Sequence, residues 1–517
     1  MVSPVALPFD PAGIHLDRRQ GLSRQLYQAL RARVLEGQLS HGTRMPASRD
    51  LARALGISRN SVVRAYDQLY AEGFIEGRVG DGTYVADSIA QMVASAQVGK
   101  KLSTKPSTGL RTGLSPGLST IGPLITVDAY SAELKTERAQ RLQNHHVAMP
   151  AEGAPGAFRV GIPAFDLFPF DVWAKLYGAF WRKADPARLG YGDPAGDARL
   201  RELIAAYLRS SRGLQCGPEQ ILITCGAQQA ISFCAQLLIE PGDTVAVENP
   251  GYRAAMHALA NAGAQLQGVA VDEEGFDTTQ LQALDDCRLA YVTPAHQYPT
   301  GVTMSLSRRL ALLEWAHQRG GWIIEDDYDG EYRYSGAPLA PLAALDRHDR
   351  VVYVGTFGKV AFPALRLGYL VLPPKLVQSF VRRLGVEGRS LEIGSQAVMA
   401  EFIAAGHFQR HIRRMRRAAL SRRDTLLAHW PEAIAGCGPL PEVSAGLHLK
   451  VPVDNPEREQ QLLAKAAAVG VEMTPLSSYW LPGSAMDKSG LVLGFAAVPE
   501  AAIRDALRKL DSAWRSP

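Results

Sequence analysis

The chain has 517 residues, too long for one ordinary domain and enough for two or three. A hydrophobic fraction of 46% and a charged fraction of 21% exclude a disordered or fibrous protein and leave material for a sizeable core. The formal net charge of +5 is compatible with a nucleic-acid partner without pointing to one.

The chain opens with Met1 to Asp10, which has no basic-then-apolar signal layout, and no apolar run is long enough for a membrane span. Cys216, Cys225, Cys234, Cys287 and Cys437 are odd in number and lack C-x-x-C spacing. That argues against a disulfide framework or a zinc site and fits a reducing cytoplasm. A cytoplasmic protein with no membrane partner and no metal is the expectation.

Residues 15–87 form a first zone. "GLSRQLYQALRARVLEGQL" places Leu22, Leu26, Ala29, Leu30 and Val34 at helical spacing, and Gly37 ends it. Ser48 is a suitable N-cap for a helix running to Leu55, Gly56-Ile57 supplies a tight turn, and Ser58 caps a second helix with Val62, Val63, Ala65, Tyr66 and Leu69 on its apolar side. Two short helices across a glycine turn make a helix-turn-helix. The second presents Arg59, Asn60, Ser61 and Arg64 at its start, residue types that pair with guanine, adenine, bases and phosphate. "GFIEGRVGDGTYVAD" predicts a hairpin turning at Gly80-Asp81-Gly82, a wing whose Arg78 and Gly80 can approach the DNA backbone or minor groove. A three-helix bundle with a solvated basic face is the bland alternative, and the order helix, helix pair, hairpin favours double-stranded DNA. Arg44 is a further phosphate-contact candidate on charge alone.

Residues 88–155, rich in Ser, Thr, Gly and Pro, predict a linker too poor in aromatics to fold alone. From 156 to 517 strand-length apolar runs alternate with amphipathic helices: "ILIT" (221–224), "TVAVE" (244–248), "LAYVT" (289–293), "GWIIED" (321–326) and "VVYVGT" (351–356), with "AQQAISFCAQLL" and "SLSRRLALLEWAHQRG" among the helical stretches between. This predicts an α/β unit with a mostly parallel sheet covered on both faces, its ligand at the carboxyl ends of the strands.

Those strand ends carry the chemistry. After "VVYVGT" comes Lys359 on a short loop, placed to form a Schiff base with an aldehyde cofactor. Thr356 offers a hydroxyl and Arg366 a guanidinium fork for a phosphate. Asp326, at the end of "GWIIED", suits a protonated pyridine nitrogen, and Tyr328 suits a phenolic oxygen. Gly226, Ala227 and Gln228 begin a helix whose free N–H groups suit a phosphate. Tyr252 is placed to stack on a ring. "VTPAHQYPTG" is another strand-end loop. Singly, these have plain readings: a surface lysine, an acidic loop or Mg²⁺ site in "EDDYDGEY", a core tyrosine. Their order and spacing carry the argument. The basic stretch "HFQRHIRRMRRAALSRRD" reads as the solvated face of a helix or as a contact with DNA or with the N-terminal zone.

The first zone resembles the winged helix-turn-helix of GntR-type repressors on "GTRMPASRDLARALGISRNSVVRAYDQLYAEGFIEGRVGDGTYV". The resemblance implies DNA contacts from Arg49, Arg59, Ser61, Arg64 and the wing near Gly80. The third zone resembles fold-type I pyridoxal-phosphate enzymes of the aminotransferase class. This implies pyridoxal 5'-phosphate as cofactor, with Lys359 as the Schiff-base lysine, Asp326 on the pyridine nitrogen and Tyr252 as the stacking ring. Thr356, Arg366 and the Gly226–Gln228 turn would hold the phosphate. Tyr191, in "YGDPAGDARLRELIAAYL", would reach the neighbouring subunit's phosphate, which requires a homodimer.

Together the two resemble the MocR/GabR regulators, which implies a transcription regulator sensing the cofactor or an amine or amino-acid-like effector, possible exchange of heads between subunits, and sensing rather than turnover. An active aminotransferase with an attached head is the rival. Three departures bear on it. Tyr298 stands where aminotransferases carry Asn before Pro-Thr-Gly, leaving oxygen binding to His296 or Gln297 or to neither. Gly358 replaces the usual Ser. No arginine lies between Gly490 and Val498, where a carboxylate clamp is expected.

Overall fold

The computed structural model describes residues 9, 11–17, 21–71, 74–78, 81–86, 153–183, 185–335, 340–387, 391–485 and 488–515. The chain divides into two compact units, Met1–Pro123 and Leu124–Pro517. Gly80 and, apart from its last three residues, the 88–155 segment expected as a linker lie outside the described residues.

The first unit contains α1 (Leu22–Leu35), α2 (Ser48–Leu55) and α3 (Arg59–Ala71), then a hairpin of β1 (Ile75–Arg78) and β2 (Gly82–Val85). Its core is Leu26, Leu30, Leu51, Val62 and Leu69, all with no exposed surface, closed by Ile75 and Val85 of the hairpin. Gly56 ends α2 at φ 62°, in the left-handed region that glycine enters without steric cost. Ser58 caps α3 as expected, its hydroxyl accepting the Ser61 N–H at 3.1 Å. Ser48 does not cap α2: it is the first helical residue, after Ala47, and its hydroxyl lies 3.4 Å from Nε of Arg59.

The second unit is built on an eight-stranded sheet. Its strands are β3 (Ile221–Thr224), β4 (Thr244–Asn249), β5 (Gln265–Asp272), β6 (Gly275–Phe276), β7 (Cys287–Val292), β8 (Trp322–Asp327), β9 (Val351–Thr356) and β10 (Gly368–Val371). Their order is β3-β10-β9-β8-β7-β4-β5-β6. The neighbours from β9 to β5 are parallel; β10 runs antiparallel to both β3 and β9. All five apolar runs expected as strands are strands; β5, β6 and β10 add to them.

Alternate residues along one strand enter different cores. Val245 and Val247 of β4 and Leu289 and Tyr291 of β7 pack on one face with the helix Gly226–Leu238. Ala246, Ala290 and Val292 pack on the other with the helix Leu306–Arg319. With both faces buried, polar function is left to the strand ends. A second antiparallel sheet, ordered β11-β13-β12, consists of β11 (His448–Val453), β12 (Thr474–Pro475) and β13 (Ser489–Gly494).

The basic stretch lies on the helix His407–His429. Phe408, Ile412, Met415 and Leu426 are buried, and Arg410, Arg413, Arg414 and Arg417 are exposed. Arg422 is the exception: it is buried, donates to the Ala496 carbonyl at 2.6 Å and pairs with Asp166 at 2.7 Å.

Leu30 is fully buried in the small core of the first unit. Leu30→Ala therefore costs that unit about 2–5 kcal/mol. In scanning calorimetry its transition should fall while that of the larger unit stays in place; an equal fall of both would show that the two units unfold as one.

Candidate cofactor site and nucleic-acid interface

The ends of β3, β4, β7, β8 and β9 deliver side chains to one cavity of about 370 Å³. Gly226, Ala227, Gln228, Tyr252, Asp326, Tyr328, Thr356, Lys359 and Arg366 all line it, so most of the residues singled out from the sequence meet there.

Asp326 forms its floor. It is 4% exposed; Oδ2 accepts the Tyr291 hydroxyl at 2.7 Å, and Oδ1 is buried with no partner. Burial pushes its carboxyl up to about 7, against the Tyr291 hydrogen bond, which lowers it; neighbouring Asp327 adds to the rise. Lys359 donates from Nζ to the Gly161 carbonyl at 2.7 Å. Burial lowers its ammonium pKa, and Asp329 and Asp326 work against that. The Tyr332 hydroxyl holds the Lys359 carbonyl at 2.7 Å.

Gly226 opens its helix at φ 75°. The Arg366 guanidinium lies over that turn, bonded to the Cys225 carbonyl at 3.0 Å, and a Cβ at position 226 would sit 3.6 Å from its Cζ. The Thr356 hydroxyl, at the end of β9, accepts the Gly358 N–H at 3.0 Å. Helix N–H groups, a hydroxyl and a guanidinium converge in a corner suited to a phosphate. Gln228 turns its amide to the Ala254 carbonyl at 2.8 Å. Tyr252 is half-buried, with its ring edge-on to Tyr298 at 5.6 Å.

Neither His296 nor Gln297 lines the cavity. The Gln297 amide is consumed by its own loop and by the end of β4: it donates to Glu248 and to the Pro250 and Tyr298 carbonyls and accepts from Thr300. His296 is 4% exposed, with Nδ1 3.0 Å from Asp329 Oδ2 and 3.0 Å from the Tyr328 hydroxyl. That hydroxyl donates to the His296 carbonyl at 2.9 Å. The expected substitutes for the missing Asn thus stand behind the wall, and Tyr298 itself forms it, its hydroxyl 3.1 Å from that of Tyr479. Tyr191 is 81% exposed and lines no part of its own chain's cavity. Tyr291, Gly161 and Tyr332 were not singled out from the sequence. Tyr291 sits in the apolar run "LAYVT", where a tyrosine next to strand-end residues is the one available signal.

These residues fit pyridoxal 5'-phosphate. The unpaired Asp326 Oδ1 suits a ring N–H, the Gly226 corner suits the phosphate, and Lys359 reaches the space between them.

In the first unit Arg49, Arg59, Asn60 and Arg64 are exposed around the start of α3. Ser61 is half-buried, its hydroxyl 2.9 Å from that of Ser58. Arg44 and Arg78 brace the hairpin: Arg44 donates to the Asp81 carbonyl at 2.7 Å, and Arg78 lies 4.5 Å from the Tyr84 ring centroid.

The Asp326 carboxyl at about 7 means that the folded, cofactor-free chain keeps a proton that the unfolded chain has already released. Its contribution to stability falls as pH rises from about 4 to 7. Asp326→Asn should gain on the parent by about 1.4 kcal/mol per pH unit across that window. Urea unfolding of both proteins at pH 5 and pH 7 checks this; a gap that does not widen contradicts it.

Comparison with known proteins agrees with both halves. Residues 22–85 match the family of bacterial regulatory proteins, gntR family, and residues 157–510 match aminotransferase class I and II. The probable rhizopine catabolism regulatory protein MocR of Rhizobium meliloti is 35% identical over 496 residues, covering 95% of this chain and 94% of its own. The HTH-type pyridoxine biosynthesis transcriptional regulator PdxR of Corynebacterium glutamicum is 31% identical over 520 residues, covering 99% and 98%. Among solved structures, a Pyrococcus horikoshii kynurenine aminotransferase superposes with a TM-score of 0.64 at 26% identity, covering 76% of this chain and 98% of that one. The chain belongs to the MocR/GabR family, DNA-binding transcription regulators that join a GntR-type head to a pyridoxal-phosphate-binding body of the aminotransferase fold.

Proposed function

We propose that the body is a sensor and the head its output. The carrying observation is one cavity that joins a tethering lysine, an unpaired buried carboxylate oxygen and a phosphate corner, in a chain that also presents an exposed basic helix start.

In this reading Lys359 is the covalent anchor of the cofactor, Asp326 holds its ring nitrogen, Tyr328 turns its hydroxyl from the His296 carbonyl to the phenolic oxygen, and Tyr252 covers its ring. Gly226, Ala227, Thr356 and Arg366 hold the phosphate, with Gln228 bracing the turn through Ala254. Bound there, the cofactor supplies an aldehyde that captures a primary amine. The Gly161 carbonyl accepts a hydrogen bond from the lysine Nζ, and Asp326 and Asp329 favour the charged form of Lys359. Arg49, Arg59, Asn60 and Arg64 read the operator, while Ser61, Arg44 and Arg78 hold the cap and the wing that aim them. The exposed Tyr191 completes the site of a second copy in a homodimer, which presents two heads, exchanged between subunits, to a two-part cytoplasmic operator.

Displacement of Lys359 by an amine effector would untether the loop of residues 357–366, and a difference in effector affinity between two body states would bias the heads to the extent that body and head are coupled. Among the described residues no arginine other than Arg366 lines the cavity, which favours sensing over amino-acid turnover.

The test is operator binding by fluorescence anisotropy, with and without cofactor and amine. Lys359→Ala should match the cofactor-free wild type and give no amine response; an unchanged response in the variant ends the proposal. Arg64→Ala should weaken specific binding by roughly 1–3 kcal/mol and relax one operator position; uniform weakening on all sequences would assign Arg64 to phosphate instead.

A further inference from the structure

We infer that the effector is a primary amine whose nitrogen-bearing carbon carries no carboxylate, so that α-amino acids are excluded. The inference rests on reading the cavity as the cofactor and effector site, and it concerns which amine enters.

An α-amino acid that brings its nitrogen to Lys359 brings its carboxylate one bond away from the carbon bearing that nitrogen. A carboxylate taken out of water needs a cation or several donors. The described lining residues offer two cations, Lys359 and Arg366. Lys359 is the group the amine displaces. Arg366 stands over the Gly226 turn, held there by the Cys225 carbonyl, and in this reading it serves the phosphate. What remains near Lys359 is negative: Asp326 in the floor and Asp329 just behind it both act on its charge.

The wall away from the phosphate corner is aromatic. Tyr298 lines the cavity with its ring edge-on to Tyr252 and, at 5.7 Å, to Tyr328. Its hydroxyl is shared with that of Tyr479. Behind it lies an apolar cluster of Leu476, Tyr479 and Val492, and Val492 occupies β13, where the clamp arginine was expected. His448, 5.2 Å from the Tyr298 ring, is 1% exposed; burial and the neighbouring His296 hold it well below the ordinary histidine range, against a backbone hydrogen bond at Pro299. Lys450, which pairs with Val492 across the sheet, is absent from the lining. Tyr291 and Tyr328 give their hydroxyl protons to Asp326 and the His296 carbonyl, and Thr293 gives its own to Glu248, so the wall suits a ligand with an apolar body.

The experiment uses the full chain loaded with pyridoxal 5'-phosphate and follows its visible circular dichroism, which reports bound cofactor only. It is titrated with matched pairs: phenethylamine against phenylalanine, tyramine against tyrosine, isobutylamine against valine. The amines should perturb the band at concentrations on the order of 100-fold lower than their carboxylated partners. Val492→Arg should narrow that gap at least tenfold; should that variant not fold, the wild-type comparison decides alone. Equal or better response to the amino acids overturns the inference, as does a bound-cofactor band that no member of either series changes. Absence of any bound-cofactor band before titration defeats instead the reading of the cavity as the cofactor site, so the two failures are distinguishable.

Discussion

A carboxylate oxygen without a partner inside a protein is costly, and Asp326 keeps one. The cost is tolerated because the surrounding sheet fixes the residue from every side. Asp326 lies in β8, paired in parallel with β7 and β9, and Tyr291 of β7 takes its other oxygen. The same parallel strands end together, and so place Thr356 at the end of β9 and Lys359 on the loop that follows. A ring nitrogen carrying a proton relieves the strain on Asp326 and keeps it ionised; without one, burial favours the protonated acid. The site is thus a preorganised gap whose shape, charge and tether agree.

The head solves a different problem with the same economy. Its core is small, so each apolar residue is fully used: Leu26, Leu30, Leu51, Val62 and Leu69 are completely covered. Once the helices are locked by the Gly56 turn and the Ser58 cap, Arg59, Asn60 and Arg64 are left facing solvent as a consequence of packing. Residues that looked like DNA contacts by charge divide accordingly, with Arg44 and Arg78 spending part of their capacity on the wing.

What was legible in the sequence follows from this geometry. Lys359, Asp326, Thr356 and the Gly226 turn could be read because each immediately follows or ends an apolar strand, and parallel strands bring their ends together. Gly161 could not, since its carbonyl meets Lys359 across 198 positions of chain, a contact made by folding alone. The replacement for the missing Asn was misplaced for a related reason. In a loop, neighbours such as His296, Gln297 and Tyr298 point in different directions, and only the packing of Gln297 against Glu248 shows which one is left to face the cavity. Ser48 was one position off because Ala47 and Ser48 both sit at the helix boundary, and the Arg59 side chain offered the serine hydroxyl another partner. The short β10 was hidden in the loop-rich stretch after Lys359.

A sensor of this kind couples the lysine-anchored cavity to the DNA-reading helix, and coupling is reciprocal. The direct measurement is a pair of titrations on one preparation of cofactor-loaded protein: amine affinity with and without saturating operator DNA, and operator affinity with and without saturating amine. The two ratios should be equal and differ from one. Ratios of one in both directions would show that the body and the head share a chain without sharing a function.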